Sequence, residues 1–276
     1  MTGRRTPRLG VFSTCRRIIA WYLSCWRQAI ARDLQFRTQT VLVAVGSLAE
    51  VGVALVPALV VAHVARDTTG WDTSGAMVVV GLFTIATALL DATLAPNLAR
   101  LDSAVREGDL DLLLVRPIPA FIAATSRWIR PAELTRILPG AGLVLAALSF
   151  DERTVSFGAA ASCGALLLIG VLCWALFWIN ASLLSFWWSS ADPVQNIVGG
   201  LRDAGQYPKA AFRGSASVVF TAAIPATLLG AIPSASLLGE PLGTTWLLCG
   251  LITAVGSAVT AAHWHLALRR YDSASS

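Results

Sequence analysis

The chain has 276 residues, 55% of them apolar and 13% charged, with a formal net charge of +5. A soluble protein carries roughly 25% charged residues, so the composition describes a membrane protein and excludes a disordered chain, a coiled coil and a secreted disulfide scaffold. Six spans of about 20 residues use on the order of 120 apolar residues, which the composition supplies while leaving no stretch of about 100 residues for a separate soluble catalytic domain.

The first 40 residues hold Arg4, Arg5, Arg8, Arg16, Arg17, Arg27, Arg32 and Arg37 ahead of any long apolar run. A cleavable secretory signal does not fit that pattern. From Ile18 onward, Tyr22, Trp26, Ile30 and Leu34 recur at four-residue spacing with arginines around the other face, which predicts an amphipathic helix lying in the headgroup boundary, with a solvated helix packed on a cytoplasmic partner as the compatible alternative. Residues 1–40 therefore read as a cytoplasmic tail and amphipathic connecting helix. Residues 41–267 read as a transmembrane domain, and 268–276 as a cytoplasmic C-terminal tail.

Six apolar segments follow, at 41–65, 76–98, 133–150, 157–188, 215–232 and 244–267. The expected fold class is an all-α polytopic membrane protein with six transmembrane helices and both termini cytoplasmic. The fourth segment is longer than a bilayer requires, so it must tilt, project or break, and Asn180 with Ser182 offers a place to break. With the N-terminus inside, 18 arginine and lysine residues fall on the inner side and two, Arg66 and Arg153, on the outer. That asymmetry is the positive-inside rule. Trp71 and Trp246 then belong to the outer aromatic belt, and Trp187, Trp188 and Trp264 to the inner one.

No catalytic or metal site is expected. Lys209 is the only lysine and follows Pro208, so the Gly-Lys-Ser/Thr of a phosphate-binding loop is absent. His263 and His265 are two apart and face different sides of a helix, unlike a zinc pair. No G-x-S-x-G elbow occurs. Cys15, Cys25, Cys163, Cys173 and Cys249 form no C-x-x-C pair and pack as small hydrophobes. The basic charge marks cytoplasmic loops and membrane lipid rather than nucleic acid.

Two carboxylates, Glu50 and Asp91, lie within predicted spans, and Arg136 lies about one turn inside the third. Intramembrane charges are functional candidates by default. Here they either line a pathway or hold the bundle together, with two arrangements open: Glu50 and Asp91 sharing a proton, or Arg136 pairing with one of them. The loop 99–132 contains Arg106-Glu107-Gly108-Asp109-Leu110-Asp111-Leu112-Leu113-Leu114-Val115-Arg116-Pro117. Acidic residues at its start, a leucine cluster and a proline stop make a short amphipathic helix suited equally to docking a cytoplasmic protein or to lying on the membrane. Asp109 and Asp111 also form a D-x-D, the spacing some glycosyltransferases use for a metal, but helix-starting acids account for it more simply.

In this loop the sequence resembles the permease subunits of ABC-2-type (type V) exporters, in particular a bacterial family of about 260 residues with six spans. The likeness rests on Glu107 to Pro119 (EGDLDLLLVRPIP), Gln206-Tyr207-Pro208, the run from Ile224-Pro225 through Ile232-Pro233 to Gly239, and the ending Arg270 to Ser276. The resemblance implies an interfacial connecting helix at the N-terminus. It makes Glu107, Gly108, Asp109, Leu110, Asp111, Leu113, Arg116 and Pro117 the ATPase-coupling segment. It implies two ABC ATPase subunits that supply ATP and Mg2+ chemistry in trans, so that no cofactor is bound by this chain. A second permease, identical or paralogous, and a bacterial inner-membrane location are implied as well. Ile232 to Gly243 would cap the pathway outside. The competing reading from a different class is a stand-alone channel or proton-coupled carrier using Glu50 and Asp91.

Overall fold

The computed structural model describes residues 11–35, 37–69, 73–116, 118–151, 154–187, 192–207 and 215–271. Every regular element among them is helical. The first half comprises α1 (Val11–Gln35), α2 (Arg37–Thr69), α3 (Thr73–Thr93), α4 (Ala95–Arg106), α5 (Leu110–Leu114) and α6 (Ala120–Ser126). The second comprises α7 (Ile137–Phe150), α8 (Phe157–Leu183), α9 (Asp192–Asp203), α10 (Ser215–Val218), α11 (Ala231–Leu237) and α12 (Gly243–Arg270). Pro117, Trp71, Trp188, Arg153, Lys209, Arg213 and both chain ends, which the sequence reading used for its motifs and topology, lie outside the described residues.

Helix α3 is the axis of the fold, and 15 of its 21 residues are buried against α2, α7, α8 and α11. Its crossing with α7 is close because glycine meets glycine. A Cβ on Gly81 would stand 2.6 Å from the Gly140 carbonyl oxygen, and one on Gly140 would stand 2.8 Å from that of Gly81. Small residues bring membrane helices into such contact, where dispersion replaces the hydrophobic effect as the driving force.

Among the described residues, four helices are long and apolar enough to cross a membrane: Thr73–Arg106, Pro131–Phe150, Phe157–Phe186 and Gly243–Arg270. The expected first span falls in α2, which carries Pro57 and whose apolar stretch, Val41–Pro57, is shorter than those four. The expected fifth span, 215–232, is not one helix. It runs as α10, a π-turn over 219–223, extended Ile224, a 3-10 turn over Pro225–Leu229, and then α11. Pro225 disfavours helical geometry at Ile224 and brings no N–H of its own, so the helix cannot pass.

Non-helical backbone at membrane depth is tolerated only where protein covers it. Here Ala226, Thr227, Leu228 and Leu229 are all fully buried. The Thr221 and Thr227 hydroxyls meet at 3.1 Å, and Thr227 Oγ1 also donates to the freed Phe220 carbonyl at 3.2 Å. The turn seats on α8 at Gly170, where a Cβ would collide with the Leu228 carbonyl. Ser236 on α11 donates to the Ala159 carbonyl near the start of α8 at 2.8 Å.

Two expectations about long helices also change. The second span does not end at 98. It steps at Leu94 and continues as α4 to Arg106. Pro96 cannot donate to the Ala92 carbonyl four residues back, and the Arg130 N–H takes that place at 2.9 Å. Asn97 completes the splice, giving its Nδ2 to the Thr93 and Trp128 carbonyls at 2.6 and 2.7 Å and accepting the Trp128 N–H at 2.7 Å. Helix α8 passes straight through Asn180 and Ser182 and tightens into a 3-10 turn only at Leu184–Phe186. Asn180 is a bridge rather than a break: its Nδ2 donates to Thr260 Oγ1 on α12 at 2.6 Å, and its Oδ1 meets His263 Nδ1 at 3.0 Å.

Helix α1 is fastened by its C-terminal turn. The Arg32 guanidinium donates to the Ile129 carbonyl at 2.7 Å, and Asp33 accepts the Ala132 N–H at 3.1 Å. Its exposed apolar residues are Ile19, Leu23, Ile30 and Leu34, so the predicted stripe holds at Ile30 and Leu34 and shifts by one residue in its first half. Tyr22 and Trp26 are half-buried and meet edge to face at 6.3 Å. Trp264, expected in the inner aromatic belt, is instead buried, with Phe121 at 5.4 Å and Phe186 at 6.5 Å, both edge to face.

Replacing Gly170 by leucine forces the Leu228 carbonyl off α8 and should lower the detergent melting temperature, at a cost of at least about 1–3 kcal/mol. Gly164→Ala on the same helix, where nothing lies within 4 Å, should be neutral or stabilise by up to about 1 kcal/mol. Equal melting temperatures for the two variants would contradict the seating of the turn.

Candidate functional site

The three intramembrane charges singled out in the sequence come together around Asp91 near the end of α3. Arg136 Nη1 reaches Asp91 Oδ2 at 2.8 Å, and its Nη2 reaches Glu50 Oε2 at 2.9 Å. Glu133 approaches the same guanidinium at 3.8 Å. Arg136 therefore pairs with both carboxylates rather than with one. Arg202 on α9 was missed by the sequence reading, which placed it in a cytoplasmic loop. Its Nη1 binds the other oxygen of Asp91 at 2.7 Å.

Arg202 reaches that position because α9 is amphipathic. Val194, Val198 and Arg202 lie at four-residue spacing on one face, with Val198 buried and Arg202 half-buried. An arginine continuing an apolar stripe was the signal available in the sequence. The rest of α9 is tied to α8 by Trp178 Nε1, which donates to Gln195 Oε1 at 2.7 Å, and by Gln195 Nε2, which donates to Ser182 Oγ at 3.0 Å. The Arg202 guanidinium also lies 5.9 Å from the Trp178 ring centroid, within cation–π range. Next to it, burial pushes the Asp203 carboxyl above its ordinary value, and Arg202 opposes the shift.

Asp91, Arg136 and Arg202 keep only 16%, 15% and 20% of their side-chain surface, whereas Glu50 keeps 62%. Asp91 is thus a shielded carboxylate saturated by two guanidinium groups, with Glu50 at the outer edge of the cluster. Charged hydrogen bonds of this kind are strong only while every member is present, because a buried charge without its partner is costly.

The second candidate site is the tip beyond α4. Gly108, with φ of 80°, turns the chain in a left-handed conformation that suits glycine, and the five-residue α5 follows. Leu110 and Leu113 are buried and belong to the main hydrophobic core together with Ala123 and Ala124 of α6. Leu112, Leu114 and Val115 are exposed, Val115 at 82%. Glu107, Asp109 and Arg116 are exposed and Asp111 is half-buried. Of the predicted coupling residues, Leu110 and Leu113 therefore support the tip from within. Tyr271, just past α12, interacts with Asp111, and burial with these acidic neighbours raises its phenol pKa. No group of three or more potential metal ligands, the Asp109–Asp111 pair included, occurs among the described residues.

The family model described as ABC-2 family transporter protein matches residues 48–275. The chain belongs to that family. Neither the curated proteins nor the solved structures compared with it gave a match. Membership of the ABC-2 family, together with the long apolar helices, makes the chain a multi-pass membrane transport permease.

Asp91→Leu leaves two shielded guanidinium groups without their shared carboxylate and should cost about 3–5 kcal/mol. The folded yield in detergent should fall sharply, and Asp91→Leu with Arg202→Leu should recover much of it. A single variant as stable as wild type, judged by gel filtration and thermal melting, would show that the cluster holds nothing together.

Proposed function

We propose that this permease is the membrane subunit of an ATP-driven exporter, paired with a second permease and coupled through α5 to two separate ATPase subunits. The observation that carries the proposal is the sidedness of the tip. An amphipathic helix held from within by Leu110 and Leu113 exposes Leu112, Leu114 and Val115, a small apolar knob rimmed by Glu107, Asp109 and Arg116. Apolar anchors inside a polar rim are the usual anatomy of a docking surface. The single lysine, following a proline, makes an external source of ATP hydrolysis necessary for this reading.

In this proposal the six-span arrangement holds, with α2 as the first span, the broken 215–237 segment as the fifth, and both termini cytoplasmic. The exposed line Ile19, Leu23, Ile30 and Leu34 of α1 lies in the inner headgroup layer of a bacterial plasma membrane. ATPase closure pushes on α5, and the joined α3–α4 rod carries the movement to the Asp91 cluster, where α7 and α9 meet it. Release or retention of Arg202 is then the step that opens or closes the inner side. The carrier reading needs a carboxylate open to a pathway, and both oxygens of Asp91 are already taken by guanidinium groups, which favours the exporter.

Leu112→Asp with Val115→Asp should weaken capture of the ATPase by at least about tenfold, or about 1.4 kcal/mol, while the permease purifies normally. Leu113→Asp should lower the yield of folded permease itself. Undiminished ATPase capture by the Leu112–Val115 double variant would remove α5 as the coupling element.

A further inference from the structure

A polar cavity of about 450 Å³ opens between the end of α1, the start of α4 and the returning segment 128–132. Arg32, Arg100 and Arg130 converge on it, and the charges of Arg130 and Arg32 bear on Arg100. Arg100 is stacked 4.4 Å from the Trp128 ring centroid and donates to the Pro96 carbonyl at 3.0 Å, so its head is fixed at the cavity wall. Two carboxylates, Asp33 and Glu133, also line it. Asp33 lies 3.5 Å from Arg32 and accepts the Ala132 N–H, and Glu133 lies within 4 Å of Arg136, so Arg100 and Arg130 carry most of the pull on an anion. Among the described lining residues three guanidinium groups face two carboxylates, which leaves the cavity with a positive excess.

Beside this cavity, and sharing Asp33 and Ala132 as walls, runs an apolar groove of about 490 Å³ lined by Ile30, Leu34, Val41 and Pro131. Ile30, Leu34 and Val41 are exposed along it. A cationic pocket adjoining an apolar groove is complementary to a molecule with an anionic head and a hydrocarbon tail. Free phosphate would fill the first and leave the second bare. Basic pockets next to membrane helices on the cytoplasmic side are suited to anionic headgroups, and burying acyl CH₂ groups adds about 0.8 kcal/mol each.

We propose that the cleft between α1 and the 128–132 segment is a binding site for an anionic phospholipid, its phosphate among Arg32, Arg100 and Arg130 and an acyl chain along Ile30, Leu34 and Val41. The occupant wedges α1 against the splice at Pro96 and Asn97. This site depends on the multi-pass membrane assignment and not on ATPase coupling, so failure of either leaves the other standing.

The test is native mass spectrometry of the whole chain in neutral detergent. The protein is titrated with dioleoyl phosphatidylglycerol, dioleoyl phosphatidylcholine and inorganic phosphate. Phosphatidylglycerol should bind at least about tenfold more tightly than phosphatidylcholine, and millimolar phosphate should not displace it. Arg100→Gln with Arg130→Gln should reduce phosphatidylglycerol to the phosphatidylcholine level. Because Arg100 also supports Trp128, Arg130→Gln alone is measured as well and should lose about fivefold. Arg269→Gln, exposed in the last turn of α12 and away from the cleft, should change nothing. Equal binding of the two lipids by wild type, undiminished phosphatidylglycerol binding by Arg130→Gln, or its displacement by inorganic phosphate would each overturn the proposal.

Discussion

Asp91 is the joint on which this bundle depends. It receives one guanidinium from 45 residues further along the chain and another from 111 residues further, so a single carboxylate ties α3, the start of the α7 span and α9 to one point. In an apolar bundle the hydrophobic effect does not distinguish one helix contact from another, because lipid tails are as apolar as leucine. Ion pairs do distinguish them. Asp91, Arg136 and Arg202 are costly to shield and costlier to separate, which gives the arrangement a definite register where packing alone would leave several.

The same economy of polar groups appears wherever the backbone leaves its helix. Pro96 frees one carbonyl, and the N–H of Arg130 takes it. Pro225 ends another helix, and two threonine hydroxyls with a glycine-lined seat on α8 let the broken chain stay buried. Each departure from helix is matched by a donor or acceptor brought from elsewhere in the chain, as a low-dielectric surrounding requires. These splices build one end of the molecule: the step at Pro96 aims α4 at the tip and also fastens the segment against which α1 rests.

The exposed surfaces divide accordingly. Helix α12 is buried over only 11% of its most apolar window, whereas the α3–α4 helix is buried over 72% of its own. The apolar side of α12 and the outer face of α2 therefore meet either acyl chains or another polypeptide. The α3–α4 rod is the internal element that runs from the ion cluster to the tip at Gly108.

The membrane class, the helical architecture, the positions of most long helices and the candidate charges Glu50, Asp91 and Arg136 were legible in the sequence, because hydropathy and the cost of an intramembrane charge are properties of the residues themselves. The short helix in the 99–132 loop was legible too, through its acidic start and leucine cluster. Which of its leucines face outward was not, since a five-residue helix has too few positions for its period to tell Leu113 from Leu112. Arg202 looked like an ordinary loop arginine until α9 folded back beside α3. The broken fifth segment read as a plain apolar span because its compensating groups, Gly170 on α8 and the paired threonines, act only after the chain has folded. The sequence by itself determined which residues must leave water and what each would demand on doing so. Only the tertiary structure decided which distant partner met each demand, because the partners of Asp91, of the Ala92 carbonyl and of the 225–229 turn are brought to them by packing rather than by spacing along the chain.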